Sequence, residues 1–143
     1  MIKHQKFNMK NLKAKDVMNE TQIGELLIIN PDTSIYNAAE KMRKNEVHSL
    51  LVVSGKNQKV SGIITTYDVV KTITESRSPY ETLVGDVMSE ELIYVSPDKD
   101  VIHTLGVMLD KNIRNMVVFE NKKIIGMLTF TDIITAFLKQ KLK

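Results

Sequence analysis

A chain of 143 residues can bury one ordinary domain core, or two half-size units that complete each other, because isolated units of about 60 residues are marginal. Hydrophobic residues at 43% and charged residues at 26% are ordinary for a soluble globular protein, and no apolar run approaches the roughly 20 residues that cross a bilayer, so no membrane role is expected. The absence of cysteine excludes disulfides and thiolate metal sites, and Met1 to Lys15 has no apolar core followed by a cleavage site, so the expected location is cytoplasmic.

The formal charge of +3 and the pI of about 9.0 raise the question of nucleic acid, but the charge is unevenly placed. Lys3, Lys6, Lys10, Lys13 and Lys15 stand at one end without an acid, and Lys139, Lys141 and Lys143 at the other. Removing these eight leaves 12 basic against 17 acidic residues. The basicity belongs to the tails, where lysines are ordinarily solvated, and those closing a final helix complement its macrodipole. Nucleic-acid binding through basic tails stays open as an alternative.

In chain order, Asp16-Val17-Met18 is followed by Leu26 to Asn30, a short run rich in β-branched residues that Asn30-Pro31-Asp32 stops, which predicts a strand. Ile35, Ala38, Ala39 and Met42 fall at i, i+3, i+4 and i+7, the stripe of an amphipathic helix over about 34–45. Leu50 to Val53 reads as a buried strand, and Ser54-Gly55-Lys56-Asn57 turns the chain into a second strand at Val60 to Ile64. Val69, Val70 and Ile73 then give Thr66 to Ser76 helical spacing. The polar Glu75-Ser76-Arg77-Ser78-Pro79-Tyr80 segment marks a boundary.

Beyond it the series begins again. Asp86-Val87-Met88 repeats Asp16-Val17-Met18, Pro97-Asp98 repeats Pro31-Asp32, Met108 repeats Met42, and Gly126 to Asp132 repeats Gly62 to Asp68. The offset falls from 70 to 66 to 64, so the first copy carries extra residues after Met18 and between Ser54 and Lys59, both loop positions. Leu92 to Val95, Met116 to Phe119 and Ile124 to Leu128 are the matching strands. Helices are expected over about 100–112, from Val101, Leu105, Met108 and Leu109, and over Thr131 to Lys141, from Ile133, Ile134, Phe137 and Leu138. The fold class is α+β, a β-α-β-β-α unit written twice. The expected division is a basic tail over 1–14, a first repeat over 15–76, a linker over 77–82 and a second repeat over 83–143.

Each copy carries one segment with chemistry: glycine, two apolar residues, threonine, two variable residues and aspartate, at the junction of the last strand and last helix. Glycine leaves room for a backbone or a ligand. Thr65 and Thr129 lie at a helix start, where free N–H groups and the helix dipole favour a phosphate. Asp68 and Asp132, three residues on, can accept hydrogen bonds from both hydroxyls of a ribose. The same Thr-x-x-Asp spacing is also close to a capping box, in which the pair merely closes the helix end. Both copies keep the same threonine and aspartate although capping tolerates other choices, which favours the ligand reading.

With this order of elements, the paired Asp-Val-Met openings, the Pro-Asp turns and the two Gly-h-h-Thr-x-x-Asp segments, the sequence from Lys15 to Leu138 resembles a tandem pair of cystathionine-β-synthase (CBS) domains. The resemblance implies two repeats packed sheet to sheet, with an adenosine-containing ligand (AMP, ADP, ATP or S-adenosylmethionine) in clefts between them. It implies aspartate on the ribose, threonine near the phosphate, and adenine beside the first strand of a repeat, near Leu27 and Ile29 or Ile93 and Val95. It further implies a disc-shaped homodimer that uses the apolar helix faces. Family members often have a proline in the middle strand, where this chain has Leu50-Leu51-Val52 and Met116-Val117-Val118; little effect on binding is expected. Just before that strand stand His48 and Arg114. An arginine brings a permanent charge to a phosphate, whereas an imidazole is only partly protonated near neutral pH, so the clefts are expected to be unequal, with the Arg114 side the better phosphate binder.

No paired histidines or clustered acids suggest a metal, and Ser49, Ser61 and Ser78 have no adjacent His and acid. His4 falls in the tail and His103 on an exposed helix face, and the methionines read as core filler. The expectation is a non-enzymatic regulatory, energy-sensing module without a catalytic cofactor. It would signal ligand occupancy to a regulated partner protein. A purely structural dimerisation module is the other alternative.

Overall fold

The structure, a computed structural model, describes residues 12–20, 28–55 and 59–141. The first half contains α1 (Ala14–Val17), β1 (Asn19–Glu20), β2 (Ile28–Ile29), α2 (Ile35–Asn45), β3 (Ser49–Ser54), β4 (Lys59–Thr65) and α3 (Thr66–Thr74). The second contains α4 (Val84–Val87), β5 (Tyr94–Val95), α5 (Val101–Lys111), β6 (Asn115–Glu120), β7 (Lys123–Thr129) and α6 (Phe130–Lys141). The α+β class and the doubled strand, helix, hairpin, helix series follow the sequence reading. Among the described residues no helix is long and apolar enough to cross a membrane.

Packing divides the chain into two compact units: a central one, Gln22–Leu92, and a terminal one that joins Met1–Thr21 to Ile93–Lys143. In the central unit β2 pairs parallel to β3, and β3 pairs antiparallel to β4. Ile29, Ile35, Ala38, Met42, Leu50, Val52, Ile64 and Val84 form its core, which is the helical stripe meeting alternate residues of the strands. The terminal unit has the strand order β1-β7-β6-β5 and a core of Ala14, Val95, Val101, Met108, Met116, Val118, Leu128 and Ile133. On the other sheet face Leu51, Ile63, Val117 and Met127 are also buried, which explains why the strands read as continuous apolar runs.

Sequence reasoning did not find α1, α4 or β1, nor where they pack. In the terminal unit, α1 lies on the Pro97 turn: Ala14 and Lys15 donate backbone N–H bonds to the carbonyls of Lys99 (2.8 Å) and Pro97 (2.9 Å), and Val101 donates to Leu12 (3.0 Å). In the central unit α4 repeats these contacts, with Val84 donating to Thr33 (2.8 Å), Gly85 to Pro31 (2.9 Å) and Ile35 to Thr82 (2.9 Å). The opening segment of each sequence repeat thus packs on the turn of the other. Lys13 and Lys15, read in the sequence as tail charges, form ion pairs with Asp100 and Asp98. Hydrogen bonding to Asp98 raises the Lys15 pKa above its usual 10.5, and the bond from Lys13 lowers that of Asp100 below 3.8.

The motif glycine has a structural cause. Ile63 and Ser89 exchange backbone hydrogen bonds of 2.9 Å each, and a Cβ on Gly62 would lie 2.4 Å from the Ser89 carbonyl oxygen. Gly126 faces Glu20 of β1 in the corresponding register. The room left by Gly62 is taken by backbone.

Candidate functional site

Each strand to helix junction is built from a last strand that ends in threonine. In the central unit Thr65 is the N-cap of α3, in extended backbone (φ −124°, ψ 166°). Its hydroxyl accepts the Asp68 N–H at 3.4 Å, while Asp68 Oδ2 accepts the Thr65 N–H at 2.8 Å and the Thr65 hydroxyl at 3.1 Å. This is a complete capping box, so the structural role weighed against ligand binding is present. It does not exhaust the group: an ionised carboxylate offers about four lone-pair positions, and these bonds engage only Oδ2. In the terminal unit Thr129 Oγ1 accepts the Asp132 N–H at 3.0 Å, the same cap at the start of α6. Both aspartates are half-buried, where a sugar hydroxyl can still approach.

His48 and Arg114 are brought to the same junctions by backbone. The His48 carbonyl accepts the Thr66 N–H at 3.0 Å, and the Arg114 carbonyl accepts the Phe130 N–H at 2.8 Å. Each residue is therefore pinned beside the first turn of the last helix, with its side chain exposed. A concavity of about 570 Å³ in the central unit runs between α2 and α3 and is lined by Met42, Arg43, His48, Thr66 and Val69 among others. It reaches His48 and Thr66, but Thr65 and Asp68 lie outside its lining. Among the described residues no group of three or more His, Cys, Asp or Glu is placed to hold a metal ion.

The first-strand residues are arranged differently. Ile29 and Val95 point into the two cores, and Ile93 packs partly buried against the terminal core. Leu27 lies outside the described residues. Two residues that sequence reasoning passed over stand at these strands instead. Tyr94 of β5 is 51% exposed and meets Phe119 edge to face, with ring centroids 5.6 Å apart. Lys41 of α2 donates from Nζ to the Ile28 carbonyl at 2.6 Å. A tyrosine between two apolar strand residues was the available signal for Tyr94, whereas in sequence Lys41 is indistinguishable from any helix-surface lysine.

Comparison with known proteins sets this geometry in a family. The CBS domain family matches twice, over residues 14–75 and 84–139. The chain is 38% identical over 117 residues to the mitochondrial CBS domain-containing protein CBSX3 of Arabidopsis thaliana, a match covering 79% of this chain and 57% of that protein. Among solved structures, an uncharacterized conserved protein from Pyrococcus horikoshii superposes with a TM-score of 0.77 at 27% identity, covering 90% of this chain and 93% of that one. The CBS domain pair of protein MJ0100, solved in complex with 5'-methylthioadenosine and S-adenosyl-L-methionine, superposes with a TM-score of 0.77 at 23% identity, covering 90% and 98%. Twice matched and folded as these relatives are, the chain belongs to the CBS domain family and is a CBS domain pair.

Proposed function

We propose that this CBS pair is a regulatory module that binds an adenosine-containing ligand, AMP, ADP, ATP or S-adenosylmethionine, and passes its occupancy to a partner protein. The observation that carries the reading is the duplication, at both strand to helix junctions, of a threonine N-cap and a half-buried aspartate one turn in, each beside a residue pinned by its carbonyl to that turn. Threonine and the helix N-terminus suit a phosphate or other polar tail, and aspartate suits the ribose. Support from a relative comes from MJ0100, whose CBS pair holds two adenosine derivatives. Arg114 makes the terminal unit the stronger phosphate site.

Signalling requires a second body. Tyr67, Val70 and Ile73 on α3, Leu109 on α5 and Leu138 on α6 are all more than half exposed, and apolar helix faces of this kind suit a second copy of the chain. The ion pairs of Lys13 and Lys15 draw two lysines away from the rival nucleic-acid reading. A ligand alters the partner only if it binds two conformations unequally. Thermal shift against AMP, ADP, ATP, S-adenosylmethionine and NADH tests the proposal, since a ligand at 100 times its Kd stabilises the native state by about 2.7 kcal/mol. A raised melting temperature with at least one of them is expected; none at millimolar concentration overturns the reading.

A further inference from the structure

We propose that only one of the two first-strand edges reads the base: among the described residues the β5 edge of the terminal unit is open and aromatic, while the β2 edge of the central unit is closed by Lys41. This rests on the adenosine reading and assigns the ligand one site per chain.

Among the described residues β5 and β2 are the outermost strands of their sheets, so half of their backbone groups face away from the ladder. Tyr94 pairs with Val117 in parallel register, and the Val117 N–H bonds to the Ile93 carbonyl at 2.9 Å. In a parallel ladder the neighbours of the paired residue supply the bonds, so the N–H and C=O of Tyr94 itself point outward. Ile28 pairs with Leu51 in the same way and occupies the equivalent place. An outward N–H and C=O on one residue match the ring nitrogen acceptor and amino donor that adenine shows side by side.

The two edges then differ through one helix position. In the central unit the Lys41 ammonium bonds the Ile28 carbonyl at 2.6 Å in a half-buried setting. A base amino group can take that carbonyl only by displacing the ammonium, which would leave a partly desolvated charge without its acceptor. The equivalent position in α5 is Val107, which has no donor to offer. The rings differ as well. Tyr94 and Phe119 form an aromatic pair beside the open edge, where a purine face can stack, whereas Ile28 and Val53 hold those places in the central unit.

Isothermal titration of the full chain with AMP tests this, with Lys41→Met and Val107→Lys as reciprocal variants. Wild type is expected to bind one AMP per chain. Lys41→Met is expected to bind two, and Val107→Lys to weaken the single site at least tenfold while Lys41→Met keeps the wild-type site unchanged. Two equivalent sites in wild type, or one unchanged site in Lys41→Met, would overturn the inference while leaving nucleotide binding standing. If Val107→Lys does not fold, the stoichiometry of Lys41→Met alone decides. Absence of AMP binding in both wild type and Lys41→Met, together with no thermal shift from the other ligands, overturns the adenosine reading itself.

Discussion

The terminal and central units share their backbone hydrogen bonds almost one for one, yet the side chains at equivalent places diverge. Ala14 and Val84 dock alike on the turns at Pro97 and Pro31, and Phe130 and Thr66 bond alike to Arg114 and His48. Against that frame the terminal unit carries Lys15, Asn112, Arg114, Tyr94 and Val107 where the central unit carries Gly85, Glu46, His48, Ile28 and Lys41. The two repeats keep what backbone geometry demands and differ at positions whose side chains are exposed or half-buried. The two units are therefore one fold with two different surfaces.

The largest effect should come from the glycines Gly62, which the terminal unit matches with Gly126, and Gly85, which only the central unit has. Gly62→Ala puts a Cβ against the Ser89 carbonyl oxygen at 2.4 Å, and neither backbone can yield freely. A loss of about 2–3 kcal/mol is expected by urea denaturation. Gly85→Ala, whose Cβ would meet Pro31 at 3.1 Å, should cost clearly less, since Lys15 already occupies the matching position in the terminal unit. Equal losses would show that the Ser89 crossing does not constrain Gly62.

A smaller effect distinguishes the ends of α2 and α5. Both stop on a left-handed residue, Glu46 at φ 54° and Asn112 at φ 53°, and both are sealed by a bond from the next N–H, Val47 to Met42 and Ile113 to Met108. Asparagine adopts that conformation at lower cost than glutamate. Glu46→Gly should stabilise the protein by up to about 1 kcal/mol, relief of a left-handed penalty of about 1–2 kcal/mol less a glycine entropy cost of about 0.5–1 kcal/mol, whereas Asn112→Ala should destabilise it. A loss on Glu46→Gly in the urea midpoint would contradict the strain.

The smallest effect concerns the two ion pairs between α1 and the Pro97 turn, which have no counterpart between α4 and the Pro31 turn among the described residues. The Asp100 pKa is lowered, so its contribution is present above 3.8 and fades as pH falls through the depressed folded value. The Lys15 pKa is raised, so its contribution is complete below 10.5 and fades as pH rises through the higher folded value. Both groups are exposed and screened by salt. Comparing urea midpoints across pH, Asp100→Asn should flatten the acid limb and Lys15→Ala the alkaline limb, with no change in the central unit's α4 contacts.

Most of the fold was legible because apolar periodicity and Pro-Asp turns report local structure. The helices at Ile35–Asn45 and Val101–Lys111 fall within a residue of their expected limits. What stayed hidden was non-local. A four-residue helix is too short to show a stripe, and the acids that hold Lys13 and Lys15 lie 87 and 83 residues away. The same holds at the site. The placement of Thr65, Asp68, Thr129 and Asp132 at the two helix starts could be read from spacing, as could the capping role that Thr65 and Thr129 take. The Ser89 backbone opposite Gly62, the core-facing direction of Ile29 and Val95, and the Lys41 bond to Ile28 depend on which strand lies beside which. No spacing rule contains that.

The most direct test is an AMP titration of wild type beside Asp132→Ala and Asp68→Ala, with melting curves confirming that each variant folds. The account predicts that Asp132→Ala weakens binding at least tenfold through loss of the ribose contact, while Asp68→Ala leaves it nearly unchanged. Unchanged binding in both variants would reduce the two Thr-x-x-Asp segments to helix caps, and a larger loss in Asp68→Ala would reverse the assignment of the terminal unit as the stronger site.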